Sequence, residues 1–218
     1  MPETRPFQVL PYEDKLLLGG PIHDLKAEFG GSFDDETIEH FAVDSFDRLA
    51  ATAKVKTFLG VIVERFTRER LQAMARIEST EAGVPGVLFL CVHNAGRSQM
   101  AAGWLRSFAG NRVTVYTGGS EPGAELNATV VDAMAEVGID ITEEFPKPWT
   151  DEVVRAVDAV IAMGCGDVCP VYPGKRYVEW DLDDPEGKGI EAVRAIRDEI
   201  RGRVEALMGE LAVDSSKA

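Results

Sequence analysis

The chain has 218 residues, 45% of them hydrophobic, and a formal net charge of −14. That length holds one large domain or two small ones around a sizeable core. Residues 1–82 carry a net −5 and the remainder −9, so neither part offers the basic surface that nucleic acid requires. No apolar run approaches the ~20 residues of a membrane span. Three cysteines behind a mixed, charged N-terminal stretch suggest a reducing, cytoplasmic setting. Thiols there are catalytic more often than structural.

Residues 1–31 combine Pro2, Pro6, Pro11 and Pro21 with Gly19-Gly20 and Gly30-Gly31. This predicts an extended arm with turns and a short helix over about 22–29. Ser32 ahead of Asp34-Asp35-Glu36 reads as an N-cap with an acidic first turn. Ile38, Phe41, Ala42, Phe46 and Leu49 then share one helical face. A second helix is expected over about 55–77, with Phe58, Leu59, Ile62, Phe66, Ala73 and Ile77 as its stripe. Its Lys54, Lys56, Arg65, Arg68, Arg70 and Arg76, interleaved with Glu64 and Glu69, read as a solvated face. Residues 1–82 are thus expected to form a small all-α helical domain. Homodimer formation through the apolar stripe is its best functional expectation.

Glu81-Ala82-Gly83-Val84-Pro85 reads as a linker, after which β and α patterns alternate. Strands are expected at 87–90, 112–116 (followed by Gly118-Gly119), 157–163 and 177–180. Helices are expected at 97–109, 127–137 (closed by Gly138), 150–156 and 190–211. Residues 83–218 therefore predict an α/β domain built on a four-stranded parallel, doubly wound sheet. Ligands bind such sheets at the carboxyl ends of the strands.

Cys91 stands at one of those ends. The run Cys91-Val92-His93-Asn94-Ala95-Gly96-Arg97-Ser98 reads as strand, tight loop and helix start. The loop amides and the helix's positive end would converge on one point, and the guanidinium fork of Arg97 would grip a tetrahedral oxyanion placed there. The same field favours a thiolate at Cys91. Gly96 and Ala95 keep the loop narrow, and Ser98 can donate to the thiolate or cap the helix. Cys-x5-Arg-Ser alone also fits a packed cysteine at a strand end, so the downstream residues matter. Asp183-Asp184-Pro185 follows the fourth strand, where a carboxylic acid can protonate a departing oxygen. Cys165 and Cys169 follow the third strand. With His23, His40 and His93 lacking ligand spacing they make no metal site, and no cofactor is expected. As a resolving pair they fit: one attacks what is trapped on Cys91, and the other receives the disulfide.

Residues 84–211 resemble the arsenate reductases of low-molecular-weight tyrosine phosphatase fold. The resemblance rests on Cys91-x5-Arg97-Ser98-Gln99-Met100-Ala101, the Cys165/Cys169 segment and Trp180-Asp181-Leu182-Asp183-Asp184-Pro185. The helical segment around 33–77 resembles the N-terminal extension of actinobacterial-type members. The resemblance implies that Cys91 attacks arsenate held by the amides of residues 92–98 and by Arg97, while Asp184 acts as general acid. Cys165 would resolve the adduct, Cys169 would take over the disulfide, and thioredoxin would reopen it. It also implies alternatives. Mycothiol could replace the internal thiols, or water could complete a phosphatase reaction. Phosphatases of this fold usually carry aromatic residues after the Asp-Pro. Glu186-Gly187-Lys188-Gly189 stands there instead, which favours a small inorganic anion. Ala102 occupies the position where potassium-binding members have glutamate, so that ion is not expected. A non-catalytic oxyanion sensor is the third reading.

Overall fold

A computed structural model describes residues 5–51, 58–79, 83–164 and 171–214. The chain divides into two compact units, Met1–Thr80 and Glu81–Ala218.

The first unit consists of helices α1 (Tyr12–Phe29), α2 (Asp35–Ala50) and α3 (Leu59–Glu78). The expected extended arm is mostly helix. Leu18, Ile22, Leu25 and Phe29 recur at helical spacing and are all buried in α1, and their burial outweighs the local cost of Gly19, Gly20 and Pro21. Pro21 has no N–H to return to the Leu17 carbonyl. That carbonyl faces Gly60 of α3, where an added Cβ would lie 3.1 Å from Leu17 O. The cap of α2 is Asp34, not Ser32: its carboxylate accepts from Thr37 N at 2.7 Å. That backbone hydrogen bond holds the Asp34 carboxyl below the ordinary range.

Ile38, Phe41, Ala42, Phe46 and Leu49 are buried as expected. In α3 the buried stripe runs through Leu59, Val63, Phe66, Leu71 and Ala73, whereas Phe58 precedes the helix and is 71% exposed. The buried stripe packs within the unit's own core. Arg70 departs from the expected solvated face. It is buried, lies 2.8 Å from Asp44 Oδ2 and donates to Ser45 Oγ at 2.9 Å. Its guanidinium covers the rings of Phe41 and Phe66. Burial pushes the Asp44 carboxyl up, but Arg70 and Arg48 outweigh it and hold that group below its usual range.

The second unit is a four-stranded parallel sheet, order β2-β1-β3-β4, built from β1 (Gly86–Cys91), β2 (Thr114–Gly119), β3 (Ala159–Met163) and β4 (Arg176–Glu179). Helices α4 (Arg97–Ala109), α5 (Ala128–Ala135), α6 (Asp151–Ala156) and α7 (Ile190–Asp214) complete it. Val87, Leu88, Phe89 and Leu90 are all buried, as a strand covered on both faces requires. Met100 and Leu105 of α4 pack in the same core as Val193, Ile200 and Val204 of α7.

Strand β2 begins and ends later than its sequence suggested. Gly118-Gly119, expected to follow the strand, is its last dipeptide. A Cβ at Gly118 would lie 2.8 Å from Trp149 Cα, and one at Gly119 would lie 2.7 Å from Val92 O. Both glycines therefore sit where neighbouring backbone passes too close for a side chain. Among the described residues no helix is long and apolar enough to cross a membrane.

Candidate oxyanion site

Cys91 closes β1 in register with Gly119 of β2 and Met163 of β3, so its side chain emerges at the sheet's carboxyl edge. It is a free, buried thiol. Its Sγ lies 3.0 Å from Ser98 Oγ and accepts from Asn94 N at 3.2 Å. The sulfur thus sits against the loop's backbone and the Ser98 hydroxyl.

The loop takes this shape because its carbonyls are engaged on its outer side. The Cys91, Val92, His93 and Ala95 carbonyls accept from the amides of Ser120, Glu121, Gly123 and Asn127. The amides of His93, Ala95, Gly96, Arg97 and Ser98 find no acceptor among the described residues, which is the signature of an anion-binding nest. Asn94 is the pivot. It is fully buried and is the one non-glycine residue at positive φ, 49°, among the described residues. Its Nδ2 donates to Ser98 Oγ at 2.8 Å, and its Oδ1 accepts from Lys147 N at 3.0 Å. Gln99 Nε2 donates to Asn94 O at 3.0 Å and reaches Asn94 Oδ1 at 3.3 Å.

The opposite lip is Arg97, the first residue of α4 and itself buried. Its Nη2 lies 2.5 Å from Asp184 Oδ2, and its Nη1 donates to Leu182 O at 3.3 Å. Asp184 Oδ1 accepts from Glu186 N, which fixes the carboxylate's second oxygen. Pro185 lies over the loop: a Cβ on Gly96 would come within 2.7 Å of Pro185 Cγ. The resulting small pocket is lined by Cys91, His93, Ala95, Gly96, Arg97, Asn127, Asp184, Pro185 and Glu186. His93 is exposed at the rim, its Nδ1 3.1 Å from Glu121 O.

The fold thus brings Cys91, Asn94, Arg97, Ser98 and Asp184 together. Cys165 and Cys169 lie outside the described residues. No group of three or more His, Cys, Asp or Glu that could hold a metal occurs among the described residues. Sequence reasoning gave no role to Gln99, Lys147 or the 119–127 segment. Only Gln99, directly after Arg97-Ser98, carried a local signal. The others act through backbone groups, which side-chain identity does not reveal.

A model described as low molecular weight phosphotyrosine protein phosphatase matches residues 86–217. The chain belongs to this family. A second model, protein-tyrosine-phosphatase-like, N-terminal domain, matches residues 19–75. Among solved structures, a Corynebacterium glutamicum thioredoxin-dependent arsenate reductase is 43% identical at a TM-score of 0.83, with 91% of this chain and 98% of that one covered. An arsenate reductase of Halalkalibacterium halodurans is 40% identical over 128 residues, which are 54% of this chain and 91% of that protein. An arginine phosphatase from Geobacillus stearothermophilus is 26% identical at a TM-score of 0.55, covering 61% and 96% respectively. The family thus includes relatives named for both chemistries. The thioredoxin-dependent reductase of Corynebacterium glutamicum also spans the helical unit.

Proposed function

We propose that this chain reduces arsenate to arsenite, with Cys91 as nucleophile. The observation that carries the reading is the make-up of the pocket. A thiol faces an anion nest, a buried guanidinium and a carboxyl group, and no Phe, Tyr or Trp lines it among the described residues. Such a pocket suits a free tetrahedral oxyanion. It lacks the apolar wall an aryl ester would bury against. The arsenate reductases among its relatives support the same substrate.

In this mechanism the loop amides and Arg97 hold three oxygens of arsenate. The Cys91 thiolate attacks arsenic(V), and Asp184 protonates the oxygen that leaves as water. Cys165 then attacks Cys91 Sγ. The sulfur–arsenic bond breaks, its electron pair stays on arsenic, and arsenite departs as a Cys91–Cys165 disulfide forms. Cys169 attacks Cys165 and releases Cys91 as a thiolate, leaving a Cys165–Cys169 disulfide. Thioredoxin reduces that bond with two electrons and two protons. Mycothiol is the alternative reductant, acting directly on the Cys91 adduct.

The test is arsenite formation by the purified chain with thioredoxin, thioredoxin reductase and NADPH, or with mycothiol and its recycling enzymes. We expect turnover with thioredoxin that needs all three cysteines. A second reading, phosphate-ester hydrolysis, is favoured by the family match and the arginine phosphatase relative. Ester turnover that survives Cys165→Ser and Cys169→Ser, with no arsenite from either reductant, would establish it. Oxyanion binding with no turnover of either kind would leave a sensor.

A further inference from the structure

Glu179 is the last residue of β4, aligned with Ala162 of β3. The backbone ladder between these strands ends with Trp180 N donating to Ala162 O at 2.8 Å. One further bond continues it: Gly164 N donates to the Glu179 carboxylate at 3.0 Å. Gly164 has φ +75°, and a Cβ built on it would lie 3.1 Å from Arg97 Nη1. The Gly164 backbone therefore lies against the guanidinium, which is bounded further on by Leu182 O and Asp184.

From this chain of contacts we infer that Glu179 is a positioning residue for the oxyanion site, acting through Gly164 on Arg97. Among the described residues the Gly164 amide is held by Glu179, so the carboxylate sets how closely the turn approaches Arg97. A guanidinium fork binds a tetrahedral anion well only when its plane is fixed. Glu179 does not line the pocket, and its influence ends at the position of Arg97. The inference rests on reading this pocket as an oxyanion site, and binding rather than turnover tests it.

The measurement is protection of Cys91 from iodoacetamide by inorganic phosphate in the full, reduced chain, with alkylation mapped to Cys91 by peptide mass. Protection of the wild type establishes the oxyanion site, and its failure would overturn that reading and this inference together. Glu179→Ala should raise the phosphate concentration for half-protection about fivefold, the scale of one lost hydrogen bond, with the phosphate-free alkylation rate unchanged. Glu179→Gln keeps an acceptor and should stay within about twofold of wild type, because one neutral bond replaces a charge-assisted one. Gly164→Ala, which intrudes on Arg97, should weaken protection at least as much as Glu179→Ala. Wild-type protection in Glu179→Ala would overturn the inference. So would a Glu179→Gln protein as weak as Glu179→Ala.

Discussion

Arg97 Nη2 lies 2.5 Å from Asp184 Oδ2. The cation that would grip the substrate and the carboxyl group that would protonate its leaving oxygen are thus partners across the pocket. An incoming oxyanion has to share Arg97 with Asp184. Once it does, the carboxyl group stands beside the atom it must protonate. Asp184→Asn keeps the shape and removes the proton, so the first chemical step should slow by about 10²–10⁴-fold. Phosphate protection of Cys91 should not weaken, because a competing negative charge has gone. Rapid-quench measurement of arsenate consumption checks the rate, and the alkylation assay checks the binding.

Arg97→Ala removes both the fork and the charge. Loss of a charge-assisted bidentate contact should raise the arsenate concentration for half-maximal rate by about tenfold or more. The maximal rate should fall as well, because the same group stabilises charge in the transition state. A variant that lost rate with unchanged oxyanion affinity would place Arg97 outside the binding step.

Asn94 joins the loop's strain to its wiring. A non-glycine residue at φ 49° costs about 1–2 kcal/mol unless its side chain is held locally, and here Ser98, Lys147 N and Gln99 hold it. Asn94→Ala leaves the buried Lys147 amide without its acceptor and keeps the strain, so stability should fall by about 2–3 kcal/mol. Asn94→Gly relieves the strain alone and should be the less destabilised of the two. Urea unfolding followed by tryptophan fluorescence reports this unit, since Trp104, Trp149 and Trp180 all lie in it.

In the helical unit, Arg70 and Arg48 hold the Asp44 carboxyl below its usual range against the opposing effect of burial. A depressed carboxylate contributes stability above its unfolded pKa of about 3.9, and that contribution is lost as pH falls through the lower folded value. Amide exchange in α2 and α3, corrected for intrinsic rates, should therefore accelerate below about pH 4. Asp44→Ala removes the carboxylate that faces the buried Arg70 guanidinium and should cost about 3 kcal/mol at neutral pH, read in the full chain by the same exchange.

Much of the catalytic unit was legible because each local signal agreed with the fold. The continuous apolar run ending at Cys91 reads only as a covered strand, and Arg97 starts its helix where the sequence places it. Misreadings arose where tertiary contact reverses local preference. Gly19, Gly20 and Pro21 look like a break, yet four buried side chains at helical spacing carry α1 through them. Gly118 and Gly119 were placed after the second strand, but they end it, because their missing side chains admit Trp149 and Val92 O. Arg70 looks solvated because its partners Asp44 and Ser45 lie on another helix. In the site, the Cys91–Arg97 pair was suggested by spacing and the Asp183-Asp184-Pro185 run by its place after the fourth strand, whereas the choice of Asp184 came from the family resemblance. The backbone brace from 119–127 was not, since any residue offers an amide.

The most direct test of the central claim is a thiol census. The reduced chain is mixed with arsenate and no other reductant, free thiols are blocked, and disulfides are mapped by peptide mass spectrometry. The expected result is a Cys165–Cys169 bridge, a free Cys91 and one arsenite released per chain. Three blocked thiols with no arsenite would contradict the internal relay.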